Sequence, residues 1–474
     1  MSSNKCVNAI AIGAGFRGND TYGLYALRHP EELNFIAVAE PNPVRRRAFA
    51  ESHKIPSELQ FESWVHLLHP SINKLAEAAF ITTPDQLHTQ PALQALSLGY
   101  HVLLEKPMAT KLEECILLVK KAQEVDRQLR IAHVLRYTPF FSTVHEIIRS
   151  GKLGKIITID HRENVSYYHY AHSFVRGNWA KESTSSPMIL AKSCHDLDII
   201  YWFVGSRAQK ISSFGTLTHF RPENAPERAK KRCTDGCPAA QSCKYFAPRF
   251  YIDNIPLLRV GRVGGSYYVS FIAGLALDHP HFFSKLERIF PALQKTHDYR
   301  GYPVRAISED LSPKGKLEAL NSGPYGKCVY YSDNDVVDHQ VTIIEFSNDV
   351  TATFTMHGFS HAEGRTLRID GTEGTLIGEF LSSGDKLILY NHLHGTKELI
   401  LDTGIDKDPT YGHGGGDHGI IKSFISSLLE KHKTEPLTSA RASLESHIMA
   451  FAAEEARLSS QVIQMDDFRR QYKI

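Results

Sequence analysis

Residues 7–18, VNAIAIGAGFRG, run from an apolar stretch straight into Gly13-x-Gly15-x-x-Gly18. A strand followed by this glycine spacing and a helix can carry a dinucleotide pyrophosphate. The first glycine allows the tight turn, the second lets the backbone approach the phosphates, and the third lets the helix pack close to the strand. The helix N-terminus, with Phe16 and Arg17 in the turn, offers unpaired N–H groups and a positive dipole end to the anion. A second apolar run, Phe35–Ala39, ends at Glu40. An acidic side chain there can accept both ribose hydroxyls of NAD, and its charge would repel a 2′-phosphate. Arg17 and the run Arg45-Arg46-Arg47 weigh the other way, because arginines can hold that phosphate. A solvated helix face is the favoured reading of the triplet, and the balance favours NAD over NADP.

Outward from this turn, strand and helix patterns alternate through the first third of the chain. Strands are expected at Val7–Ile12, Phe35–Glu40, Ala78–Ile81, His101–Leu104 and Leu129–His133. Helical patterns lie between them near Gly18–Arg28, Pro43–His53, His88–Leu98 and Lys111–Val125, and Pro139–Ser150 adds one more. Such alternation implies βαβ units and a parallel sheet, hence an α/β fold. After Gly151, runs rich in β-branched and aromatic residues recur at 155–163, 210–219, 339–347, 350–359, 366–370, 376–380 and 386–390. They imply a large, mostly antiparallel sheet with one face covered by helices such as 417–431 and 439–459. The expected division is a Rossmann unit at 1–138 and an α+β unit at 139–474, with a Cys-rich insertion at about 220–338.

The bulk numbers narrow the function classes. The chain has 474 residues, 42% of them hydrophobic and 22% charged, with a net charge of only +2. It can bury a substantial core, and nothing electrostatic points to nucleic acid or an anionic membrane surface. No apolar stretch reaches the ~20 residues of a spanning helix. The start of the chain lacks a signal-peptide pattern, so a cytoplasmic location with mostly reduced cysteines is expected.

An open parallel sheet exposes its chemistry at the carboxyl edge of its strands. Three segments fall there: Thr82-Thr83-Pro84-Asp85-Gln86-Leu87-His88, Glu105-Lys106-Pro107 and Arg136-Tyr137. Lys106 beside a nicotinamide could bind and polarise a sugar hydroxyl. Taken alone, a lysine after a strand is a solvated loop charge. With AIGAGFRG, VAEPNP, TTPDQLHTQPALQALSLGYHVLLEKP, LRYTPFF, SCHDLDII and the later GTEGTL, however, the chain resembles the glucose-fructose oxidoreductase and inositol dehydrogenase (Gfo/Idh/MocA-like) family.

The resemblance implies an N-terminal Rossmann domain, a C-terminal α/β domain whose open sheet mediates homo-oligomerisation as a dimer or tetramer, and a carbohydrate held between them. It places Gly13, Gly15, Gly18 and Glu40 on the cofactor, Thr82, Thr83, Pro84, His88 and Arg136 on the nicotinamide side, and Glu105 and Lys106 in the EKP signature. His195 matches a histidine near the reacting carbinol, and Asp198, on the same helical face, could orient it or simply complement the helix dipole. One departure stands out: where many members carry an aspartate four residues before the histidine, this chain has Ala191, followed by Lys192. Lys192 would then act as a second cation or base, or bind an anionic substituent of the substrate.

The stretch His161–Trp179 concentrates polar and aromatic side chains, making Arg162, Tyr168, His169, His172, Arg176 and Trp179 candidates for substrate contact. His413, in the HGGGDH cluster before a helix that Asp417 could cap, is another. Cys233, Cys237, Cys243 and Cys328 could close a structural zinc or iron–sulfur site. Their spacing is not that of a zinc knuckle, and buried free thiols are the alternative. The functional expectation is a NAD-dependent oxidoreductase acting on a secondary hydroxyl or ketone of a sugar. The rival is a NAD-dependent glycoside hydrolase working by transient C3 oxidation and elimination. A non-catalytic NAD-binding regulator is disfavoured by the EKP signature.

Overall fold

The computed structural model describes residues 6–264, 267–290, 303–403, 412–430 and 436–474. Its first sheet is built on β1 (Val7–Ile12), whose alanines and isoleucines are buried on both faces, as a central parallel strand requires. Around it lie β2 (Leu33–Ala39), β3 (Gln60–Phe61), β4 (Ala78–Ile81), β5 (His101–Leu104) and β6 (Leu129–Ile131). The order is β3-β2-β1-β4-β5-β6 with every pairing parallel, so the strand order reverses beside β1. That reversal opens the crevice at the carboxyl edge into which the glycine turn and the TTP loop project. Four helices in this region are α1 (Pro43–His53), α2 (Thr89–Ser97), α3 (Leu112–Glu124) and α4 (Pro139–Arg149). Asn42 caps α1 by accepting from the amides of Val44 and Arg45, with Pro43 in the first turn.

The second sheet has nine strands among the described residues: β7 (Ile156–Ser166), β8 (Ala208–Thr216), β9 (His339–Phe346), β10 (Thr351–Ser360), β11 (Gly364–Gly371), β12 (Gly374–Leu381), β13 (Gly384–Asn391), β14 (Thr396–Asp402) and β15 (Ile463–Gln464). All neighbours pair antiparallel except β7 with β10, which run parallel. The chain is therefore α/β, with a parallel Rossmann sheet and a mostly antiparallel second sheet. One face of the second sheet packs on α5 (Cys194–Val204) and α7 (Ala440–Ser459). On the other face Phe214, Val341 and Ile343 are exposed. Between β8 and β9 lies a long segment rich in short helices.

One expectation is corrected. The helix anticipated at 417–431, α6 (Gly416–Leu429), does not cover the antiparallel sheet. It returns to the parallel one, where Ile420, Ile421, Phe424 and Ile425 share a buried cluster with Val7, Ala9, Phe35 and Phe80. No helix among the described residues is long and apolar enough to cross a membrane.

Candidate active site

The glycine turn has the steric form its spacing implies. Gly13 has φ +98°, and a Cβ there would meet Thr82 at 2.8 Å. A Cβ at Gly18 would lie 2.2 Å from the Gly13 carbonyl oxygen, whereas one at Gly15 would meet nothing within 4 Å. The third glycine is thus locked by backbone, and the second borders open space of the kind a phosphate needs. Gly18→Ala is expected to distort the turn and weaken NADH binding at least tenfold. Gly15→Ala is expected to fold normally and still bind NADH more weakly, because its methyl group enters only the open space. Fluorescence titration beside a thermal melt separates the two.

Glu40 is buried at the end of β2, with its two oxygens accepting from the amides of Ala14, at 2.8 Å, and Asn42, at 2.9 Å. It is fixed against the turn, and each oxygen keeps a further lone pair for a ribose hydroxyl. Three of the four arginines expected to compete for a 2′-phosphate are engaged by other groups. Arg17 bridges Glu105 at 2.6 Å and Asp417 at 2.7 Å. Arg45 pairs with Glu309 at 2.9 Å, and Arg46 donates to the Glu40 carbonyl. Arg17 therefore holds the site together from below. Phe16 remains half-exposed at the turn.

The TTP and EKP loops are stapled by His88. Its fully buried ring meets the carbonyl of Pro107 through Nδ1 at 2.7 Å and that of Thr83 through Nε2 at 2.9 Å. His88 thus positions the loops rather than lining the cleft. Thr82 donates to the Gly13 carbonyl and Thr83 to that of Leu87, while the Pro84 segment carries Asp85, which accepts from Trp179 Nε1 at 2.8 Å. Glu105 is buried and accepts from Arg17 and from the Tyr22 hydroxyl, at 2.6 Å each. This orients the start of the Glu105-Lys106-Pro107 loop.

Lys106 donates from Nζ to the Ala191 carbonyl at 2.8 Å. The position that lacks the aspartate thus still holds the lysine, through backbone instead of carboxylate. His195, at the start of α5, is buried, and no hydrogen-bond partner meets its Nδ1 among the described residues. Burial, reinforced by Lys106, His133 and His413, pushes its pKa well below the ordinary histidine value, so it is neutral at pH 7. A neutral imidazole can accept a proton beside an ammonium that donates.

Lys192 does not stand free. Its Nζ lies 3.4 Å from Glu163 and 3.2 Å from Glu363. Burial opposes its charge, and the two carboxylates outweigh burial to raise its pKa. Lys192 is thus a second cation held by two carboxylates. Glu363 also accepts from Ser166 and meets His169 Nδ1 at 2.9 Å. Glu163, fully buried, has its pKa pushed up to about 7 by burial against the pull of Arg365. Neither glutamate was singled out from sequence.

Several other candidates lie elsewhere. Arg162 alternates with the buried His161 and Glu163 along β7, so it is exposed on the opposite face of the sheet. Arg136 and Asp198 form a buried bidentate pair at 2.6 and 2.7 Å, with Arg136 also donating to the Leu437 carbonyl. The pair joins the loop after β6 to α5. Arg176 is buried, donating to the carbonyls of Lys327 and Tyr245 and to Cys233 Sγ at 3.5 Å. His172 is buried against Tyr251 and stacked on Tyr325 with centroids 4.7 Å apart. Tyr168 packs on Phe250. These residues join the segment after β7 to the long segment between β8 and β9.

Cys233, Cys237, Cys243 and Cys328 gather in that segment as free thiols. Among the described residues, the only His, Cys, Asp or Glu group with three ligand atoms all within 4.8 Å of one another is His29–Glu31–Glu32. The four sulfurs do not converge as a tetrahedral thiolate site needs.

His413, with φ 49° in the left-handed region, meets Asp417 Oδ2 through Nδ1 at 2.9 Å, and its ring centroid lies 6.2 Å from that of His195. Asp417 is not the expected cap: Gly415 takes that position with no side-chain cap hydrogen bond, and Asp417, in the first turn, links His413 to Arg17.

Comparison with known proteins agrees with this geometry. Residues 7–133 match a family model described as the oxidoreductase family, NAD-binding Rossmann fold, and residues 145–246 match the C-terminal alpha/beta domain of the same family. Oxidoreductase YteT of Bacillus subtilis is 24% identical over 411 residues, covering 83% of this chain and 82% of that protein. The 2,7-anhydro-N-acetylneuraminate hydratase of Escherichia coli is 25% identical over 151 residues, 32% of this chain and 40% of that one. The chain thus matches less than half the length of that second relative. A crystal structure of an oxidoreductase from Agrobacterium radiobacter in complex with NAD+, L-tartaric acid and magnesium covers 98% of this chain and 99% of its own. Its TM-score is 0.64 at 14% identity, a likeness of fold.

Proposed function

The chain belongs to the Gfo/Idh/MocA oxidoreductase family, and from that premise we propose that it interconverts a secondary hydroxyl and a ketone on a sugar or sugar derivative, with NAD as the redox partner. The observation that carries this reading is the meeting of Lys106, fixed on the Ala191 carbonyl, with a His195 kept neutral, at the carboxyl edge of a sheet whose first turn leaves room for a pyrophosphate. Gly13, Gly15, Gly18, Glu40, Thr82, Thr83 and Pro84 would hold the dinucleotide. Bound there, it supplies a hydride acceptor. Lys106 keeps two N–H donors for a substrate oxygen and stabilises negative charge that develops on it. His195, its ring neutral, is placed to hydrogen-bond the same oxygen. His169 and Trp179 remain the substrate-side candidates of the segment after β7.

The engagement of Arg17 and Arg45 by carboxylates supports NAD over NADP. The NADH dissociation constant is expected to be at least tenfold lower than that of NADPH. Glu40→Ala should narrow the gap, and equal affinities in the wild-type protein would refute the preference. Incubating the protein with NAD and a panel of aldoses, aryl glycosides and cyclitols tests the activity. Stoichiometric NADH supports the dehydrogenase, and no turnover of any polyol refutes it.

A second reading is a redox-neutral elimination or hydration, with NAD reduced and reoxidised within one turnover. It is favoured by the Glu163–Lys192–Glu363 group, where burial raises the pKa of Glu163, and by the hydratase among the relatives. Aglycone release from an aryl glycoside without net NADH selects it. For the four cysteines we propose packing of the segment between β8 and β9 in place of a metal. The exposed apolar residues of the open sheet face support a homo-oligomer.

A further inference from the structure

The chain has no carboxylate at position 191, and nothing among the described residues meets Nδ1 of His195, so no side chain selects which nitrogen of that ring carries the proton. A histidine backed by a carboxylate does exist in the crevice, on a different element. His413 lies in the turn before α6 and Asp417 in its first turn, with Nδ1 2.9 Å from Oδ2. We propose that His413, oriented by Asp417, is an acid–base group of this site that takes the proton from a substrate hydroxyl. The proposal rests on the polyol reading above and names the proton acceptor within it.

Three features carry it. First, the tautomer is set. A carboxylate accepts only, so a neutral His413 donates Nδ1–H to Asp417 and leaves Nε2 as an acceptor. Second, the carboxylate is immobile. Asp417 is buried, and its other oxygen accepts from Arg17 at 2.7 Å. Burial alone would raise its pKa, but Arg17 and His413 pull it well below the usual range, so it stays ionised. Third, the ring is presented. The His413 side chain is 44% exposed while that of Asp417 is 5% exposed, and the two imidazoles of His413 and His195 lie 6.2 Å apart, inclined at 49°. A hydroxyl oxygen between them could reach hydrogen-bond distance, about 3 Å, of both. The backbone at His413 is left-handed and is followed by Gly414 and Gly415 with positive φ. A side chain held in that region points to a local demand other than chain direction alone.

The step balances. The O–H bond of the substrate breaks, an N–H bond forms at His413 Nε2, and the electron pair stays on the substrate oxygen as the carbonyl forms. The hydride leaves the same carbon for an oxidised nicotinamide. The proton leaves His413 through its exposed edge to water.

His413→Gly tests this without straining the fold, because the backbone already has a glycine-compatible φ. The expected result is a fall in kcat of about a hundredfold or more, an NADH dissociation constant within threefold of wild type, and partial recovery on adding imidazole. Retention of kcat within threefold overturns the proposal. Asp417 is a positioning residue, and its role is read spectroscopically. In 15N-histidine-labelled protein the His413 signals, assigned by their loss in His413→Gly, should show the Nδ1-protonated tautomer. Asp417→Asn should shift them towards the Nε2-protonated form. An Nε2-protonated His413 in the wild-type protein overturns the dyad. The tautomer is read without turnover, so a wild-type protein inert towards every polyol refutes the dehydrogenase reading separately.

Discussion

Lys106→Ala is expected to lower kcat on the carbohydrate substrate by roughly a thousandfold, within the range for loss of a positioned acid–base group, while the protein stays folded and loaded. The Nζ hydrogen bond that the substitution removes is a single one to the Ala191 carbonyl, worth about 1 kcal/mol to the fold. The change in Tm should therefore be small. The NADH dissociation constant should move by less than threefold, because the turn around Gly13, Gly15 and Gly18 is untouched. Lys106→Arg should not rescue activity, since a planar guanidinium cannot reproduce the point charge of an ammonium in the same space. An alanine variant that retains kcat within threefold would remove Lys106 from the chemistry.

The largest expected effect on stability lies one residue beyond His195. Asp196 is fully buried and takes the ring of His161 at 2.8 Å and the guanidinium of Arg365 at 2.8 Å, while Arg365 also contacts Glu163. Asp196→Ala leaves Arg365 with Glu163 alone and removes the partner of His161 Nε2. Breaking a buried pair from one side costs about 3–5 kcal/mol. A lowered urea midpoint at unchanged slope would register it.

The pH dependence follows from the same group. Burial opposes ionisation of Asp196, but Arg365 and His161 outweigh it and hold the folded pKa below the ordinary value. A depressed carboxylate contributes its full stability above its unfolded pKa, near 3.9. That contribution is lost as pH falls towards the folded value. The gap between wild type and Asp196→Ala should therefore be widest near neutrality and shrink below about pH 4. A gap that widens on acidification would contradict the network.

The parts of the molecule that could be read ahead of the structure are those where cause and effect lie close along the chain. The glycine turn, the capped α1 and the buried strands β1, β4 and β5 follow from local spacing and apolar runs, and their bounds match residue for residue. What escaped was set by distant partners. Nothing near Arg17 indicates that Asp417, 400 residues later, will take its guanidinium. Nothing near Arg136 indicates that Asp198 will pair with it. Glu363 sits on no motif, and only the pairing of β11 with β7 brings it to Lys192. Arg162 is different, because the signal was present. In a strand with period two, His161, Glu163 and Val165 share the buried face and Arg162 must take the other.

The return of α6 to the first sheet has a consequence for how the chain is made. Phe80, Val134 and their neighbours are buried in part by Ile420 and Phe424, which leave the ribosome almost 300 residues after β6. Until then part of that face of the nascent parallel sheet is uncovered, and Arg17 lacks the carboxylate of Asp417. The cofactor turn is thus among the first segments synthesised and among the last to be completed. A fragment ending near residue 138 should be aggregation-prone, and mixing it with the separately made remainder tests whether α6 alone supplies the missing wall.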